Sequence, residues 1–167
     1  MKKNLLGIFL IITVVFVACA AQKKTSSNTD LTYLRMYRSS CFGTCPSYSV
    51  EVYDNGLVRY TGRLFVPDSG VYEKNIGAAK AQQLFSKFKE YRIDTLASNY
   101  DMQVADLPGV NYTFNYGGKT KEVSNAHFGP AFLRTLAKEV DMDILNRTGH
   151  DAPQLDKTWK LTSSVAK

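Results

Sequence analysis

Cys41 and Cys45, with three residues between them, stand inside the stretch Arg38–Asp54, RSSCFGTCPSYSVEVYD, and are the side chains with the widest chemical repertoire in this chain. Thiol redox catalysis normally places two residues between its cysteines and sets them at a helix amino terminus, which lowers the thiol pKa. Here Pro46 leads into a strand pattern instead. A closed zinc site needs four ligands, and only His127 and His150 could join the pair. For hydrolysis there is no nucleophile elbow, and His127 has no partner nearby in sequence. Tyr100, Asp101 and Asp106 lie in the longest stretch without a period and could bind a cation or a polar ligand. No metal, cofactor or catalytic group is assigned from these patterns.

The amino terminus decides which cysteine chemistry is expected. Lys2 and Lys3 precede an uncharged apolar run, Leu5–Ala18, of 14 residues. As a helix it extends about 21 Å, short of the roughly 30 Å hydrocarbon core, so Met1–Ala18 reads as an export signal and not as a permanent span. The run closes on Phe16-Val17-Ala18-Cys19 and Ala20, which resembles the lipobox of bacterial lipoproteins, although Phe16 stands where Leu is usual. The resemblance implies that Cys19 is acylated and becomes the new amino terminus, with membrane lipid as its partner; the competing reading is ordinary cleavage at Ala18–Ala21, leaving a soluble periplasmic protein. No acidic run follows Cys19, which points to the periplasmic leaflet of the outer membrane. Residues 19–30 are polar and serve as a tether with a reach of roughly 18 Å. With Cys19 acylated, Cys41 and Cys45 form an even pair in an oxidising compartment, and Gly43 lets the short loop close, so a disulfide is the leading expectation.

The elements that position this corner follow from periodicity. Leu31–Arg38 carries apolar and aromatic residues on both parities and predicts a strand covered on both faces. Tyr48, Val50 and Val52 alternate strictly with Ser49, Glu51 and Tyr53, and Asp54-Asn55-Gly56 turns the chain into Leu57–Leu64, a hairpin. Pro67-Asp68-Ser69-Gly70 predicts a further turn into Val71–Ile76. Ala81, Leu84, Phe85, Phe88 and Tyr91 recur at helical spacing over Ala78–Arg92, and Phe132, Leu133, Leu136, Val140 and Ile144 mark a second helix from about Pro130. Between them, Val110–Tyr116 and Lys119–Asn125 flank Gly117-Gly118 as a second hairpin. The predicted class is α+β: an antiparallel sheet of about six strands with two helices on one face, in the order ββββαββα over residues 31–146. Residues 147–167 read as a polar tail. Within it Leu155–Leu161, with Trp159, looks like the opening strand of small lipocalin-like envelope domains, but the rest of such a domain is missing; a tail docked by Trp159, or a disordered one, is the simpler expectation.

The composition is that of an ordinary globular protein, 44% hydrophobic and 22% charged over 167 residues, enough for one core. The net charge of +6 falls to +4 without Lys2 and Lys3 and is spread evenly, so nucleic acid is not an expected partner. Cys41-Phe42-Gly43-Thr44-Cys45-Pro46, Tyr48, the hairpin through Gly56, Tyr60-Thr61-Gly62 and Asp106-Leu107-Pro108 resemble a family classified only as a domain of unknown function, found in bacterial lipoproteins and other exported proteins. The resemblance covers roughly Leu31–Asp143 and implies an envelope domain with no known reaction. The expected role is a non-catalytic module that binds an envelope protein or ligand. The alternative is an envelope enzyme, most concretely a thiol-disulfide oxidoreductase using Cys41 and Cys45.

Overall fold

The computed structural model describes residues 30–89, 91–100, 108–124, 126–147 and 151–164. Strands β1 (Leu31–Arg38), β2 (Ser47–Tyr53), β3 (Leu57–Leu64) and β4 (Gly70–Asn75) are followed by helix α1 (Ala78–Lys89). Then come β5 (Val110–Tyr116), β6 (Lys119–Val123), helix α2 (Ala131–Leu145) and β7 (Lys160–Ser163). All strands pair antiparallel in one sheet of order β6-β5-β1-β2-β3-β4-β7. The α+β class with two helices is as expected, but the sheet has seven strands and not about six. The seventh, β7, lies within residues 147–167 and pairs with β4 through Tyr72↔Leu161 and Glu73↔Lys160.

Register explains which side chains meet. Met36 stands opposite Val50 on one side and Tyr112 on the other, and Leu34 opposite Val52 and Phe114. Val50 in turn faces Tyr60. Because cross-strand partners project to the same face, these residues form one continuous apolar surface, and all of them are buried. Phe88 of α1 packs its ring 6.1 Å from Tyr112 and 5.6 Å from Phe114. The Tyr112 hydroxyl donates to the Leu133 carbonyl of α2 at 2.8 Å, so both helices lie on this face. On the other parity Tyr33, Arg35 and Tyr37 are only half-buried, so β1 is not covered equally on both sides as its sequence suggested.

The turns obey their local chemistry. Asn55 Oδ1 accepts from the Leu57 amide at 2.9 Å, and Gly56 follows at φ +87°. A Cβ on Gly56 would lie 2.3 Å from the Gly77 carbonyl carbon, so only glycine fits where the β2–β3 turn meets the start of α1.

The aromatic content of the sheet sets an alkaline limit on stability. Burial, aided by Glu51, pushes the Tyr33 hydroxyl up to about 12, and burial also raises Tyr48, Tyr60 and Tyr112. The folded protein therefore keeps protons that the unfolded chain releases near pH 10, and stability falls as pH rises above about 10. In an alkaline titration followed by phenolate absorbance, these four tyrosines are expected to ionise only as the fold is lost. Ordinary titration of all ten tyrosines before unfolding would contradict this.

Candidate functional site

The register that pairs β1 with both β2 and β5 brings Arg38, Pro46 and Val110 to one end of the sheet, where the Cys41–Cys45 loop joins β1 to β2. The two cysteines are joined by a disulfide, their Cα atoms 5.5 Å apart. The Gly43 amide donates to Cys41 Sγ at 3.3 Å, and Phe42, at the loop tip, is 94% exposed. Pro46 carries the chain from Cys45 straight into β2, so neither cysteine opens a helix. The β1 ladder continues past Arg38: the Ser39 amide donates to the Gly109 carbonyl at 3.0 Å, and the Gly109 amide donates to Ser39 Oγ at 2.8 Å. Those bonds fix Pro108 beside the disulfide corner.

One face of α2 closes this end. Arg134, Ala137, Lys138, Asp141 and Met142 recur at helical spacing and line a cleft of about 850 Å³ whose other wall is Cys45, Pro46, Pro108 and Val110. Asn146 ends the helix in the left-handed conformation at φ 52°. This reversal, of the kind Asn tolerates, turns the chain so that the Arg147 amide donates to the Asp141 carbonyl at 3.0 Å. The Arg147 side chain thereby enters the cleft.

Asp141 is the centre of a clamp. Its Oδ1 accepts from the Tyr48 hydroxyl at 2.7 Å, and its Oδ2 accepts from Arg38 Nη2 at 2.6 Å and from Arg147 Nη1 at 2.8 Å. Arg147 Nη1 also donates to the Tyr48 hydroxyl at 2.9 Å. The Asp141 side chain is only 6% exposed, that of Arg147 10% and that of Arg38 20%, so the carboxylate at the centre of this ion triad is buried. Burial works against the Arg38 charge, but the adjoining Asp141 carboxylate outweighs it and raises the guanidinium pKa. Burial and the same carboxylate raise the Tyr48 hydroxyl, which therefore stays protonated and donates. The clamp ties β1, β2, α2 and the segment after α2 into one rigid floor. On its rim Arg134 Nη1 donates to the carbonyls of His127, at 2.7 Å, and Gly129, at 3.3 Å. Burial, with Arg134 and Arg38, holds the His127 pKa below the usual histidine range.

The model of a family described as a domain of unknown function, DUF6438, matches residues 32–142. The chain belongs to this family. No curated protein matches the chain. The matched span of this DUF6438 domain includes the disulfide loop, Arg38, Tyr48, α1 and Asp141, but stops short of Arg147 and β7.

The residues singled out by sequence scatter. Cys41 and Cys45 form the disulfide, and Cys45 lines the cleft. Tyr100 is placed elsewhere: its amide donates to the Ser124 carbonyl, its hydroxyl accepts from the Ala97 amide at 3.1 Å, and its ring packs over Gly129. Cys19, Asp101, Asp106 and His150 lie outside the described residues. Among the described residues no group of three His, Cys, Asp or Glu converges to hold a metal ion, and no helix is long and apolar enough to cross a membrane. Sequence reasoning missed the clamp. Its signal was present: Asp141 falls on the buried stripe of Leu133, Leu136, Ala137, Val140 and Ile144, where an acid demands a partner.

The disulfide closes a loop of only a few residues, which in the chain-entropy model contributes about 2 kcal/mol. Cys41→Ala with Cys45→Ala is therefore expected to lower the unfolding free energy by about 2 kcal/mol in urea titration while leaving the m value unchanged. A loss of the whole fold would show the corner to be a staple for the domain.

Proposed function

We propose that this protein is a membrane-anchored envelope lipoprotein that works as a non-catalytic binding module, and that its ligand is an envelope component bound in the cleft at the disulfide end. The cleft itself is the observation that supports this reading most directly: about 850 Å³ of space walled by a cross-linked loop, two prolines and a clamped helix face. A rigid concave site loses little conformational entropy when it is filled, which is the property a binding module needs. In this reading Cys41-Phe42-Gly43-Thr44-Cys45-Pro46 is the sequence mark of the family because it builds one wall of the cleft.

The anchor places the cleft. Acylated Cys19 fixes the chain to the periplasmic face of the outer membrane, and residues 19–30 lead to the start of β1. Strand β1 then runs about 23 Å to Arg38, so the cleft lies at the end of the sheet away from the point of attachment. Feeding cells a palmitate analogue is expected to label the wild type and to leave Cys19→Ser unlabelled. Crosslinking and pull-down from intact cells is expected to recover one reproducible partner with the anchored protein. Equal labelling of Cys19→Ser would remove the anchor from this account, and the absence of any reproducible partner would remove the binding module.

A further inference from the structure

The charge of the cleft goes further and names a ligand class. Among the described residues its lining carries four cations, Arg38, Arg134, Lys138 and Arg147, against one carboxylate, Asp141. That carboxylate is already engaged by Arg38, Arg147 and Tyr48. Arg134 is oriented by two backbone carbonyls, which fix its direction without neutralising its charge. Lys138 lies one turn further along the same face of α2 and is exposed. Among the described residues, no carboxylate forms an ion pair with either of them. Two cations one helical turn apart on the α2 wall, beside Met142 and across the cleft from Pro46, Pro108 and Val110, match a ligand with carboxylates on a partly apolar frame.

We infer that the cleft binds an acidic segment of a polypeptide, with its carboxylates seated on Arg134 and Lys138. The inference rests on the reading of the cleft as the binding site. A polypeptide is favoured by Met142, which lines the cleft and is 57% exposed, and by Phe42, 94% exposed on the loop that supplies Thr44 and Cys45 to the lining; aromatic residues, Met and Arg are the types enriched where proteins bind proteins. The Arg134 guanidinium gives direction to the bound carboxylates, and Lys138 adds a mobile charge at the mouth.

The test uses the full lipidated chain in a neutral detergent and a fluorescein-labelled ten-residue peptide of alternating Glu and Leu, read by anisotropy. Its Gln-Leu counterpart is the neutral control. The acidic peptide is expected to bind at least tenfold more tightly than the neutral one and to be released by salt. Lys138→Gln, an exposed substitution, should weaken it by threefold or more, and Arg134→Gln with Lys138→Gln by at least tenfold, with near-ultraviolet circular dichroism unchanged. Equal affinity for the two peptides, or binding insensitive to both substitutions, would overturn the inference. So would displacement by inorganic phosphate at equal concentration, or by phosphatidylglycerol vesicles. If a partner is still captured in intact cells and its capture survives Lys138→Gln with Arg134→Gln, the binding module stands and the acidic ligand falls.

Discussion

Replacing Asp141 with alanine is expected to cost the fold about 3–5 kcal/mol, the usual penalty for removing one member of a buried charge network. The size follows from what is left behind. Arg38 and Arg147 would both lose the carboxylate they share, in a region where the Asp141 side chain is 6% exposed, and the Tyr48 hydroxyl would lose its acceptor. Asp141→Asn keeps an acceptor for Tyr48 and is expected to fall between wild type and alanine. Urea unfolding is the measurement: the midpoint should drop by that amount with m unchanged. A change below 1 kcal/mol for alanine would mean that water reaches the guanidinium groups and that the clamp is not a closed triad. The same substitution bears on binding, because Arg38 and Arg147 line the cleft and the carboxylate joins both of them to its floor.

Trp159→Ala is expected to cost about 3 kcal/mol, at the lower end of the range for deleting a buried aromatic side chain because Trp159 lies at the margin of the core. It is 8% exposed, its ring stands 6.2 Å from that of Tyr60, and Lys74 Nζ lies 5.7 Å from its ring centroid. The approach to it is fixed by Leu155, whose amide donates to Asp68 Oδ2 at 2.8 Å, and by the Lys74–Asp156 ion pair at 3.2 Å. Losing the indole should release β7 from β4, so the β7 amides should exchange with solvent at a rate close to that of free chain. Leu161→Ala, at a side chain that is 59% exposed, should change stability by less than about 0.5 kcal/mol. Equal effects of the two substitutions would show that the segment is held by its backbone pairing alone.

These two residues also mark where sequence reading succeeded and where it stopped. Strict alternation from Tyr48 to Tyr53 and the Asn55-Gly56 turn made the central hairpin legible, because period and turn chemistry are local. The helical stripes were legible for the same reason, and Ala81, Leu84, Phe85 and Phe88 are all buried. Strand β7 was not, since each of its four residues is exposed and no alternation betrays it. Its strand conformation comes from the free edge of β4, a tertiary fact. The close cysteines announced the disulfide corner, but the cleft beside it depends on Arg38 meeting Asp141 across 103 positions, and no local period carries that information. The buried acid on the α2 stripe was the one readable hint.

The central claim, that this domain works through the cleft at its disulfide end, is tested most directly by photo-crosslinking in intact cells from two equally exposed positions. Met142 lies on the cleft rim and is 57% exposed, whereas Leu161 lies on β7 and is 59% exposed. With a photoreactive amino acid at position 142, irradiation is expected to join the protein to one reproducible species, and at position 161 to none. Equal capture from both positions, or capture from position 161 alone, would contradict the account.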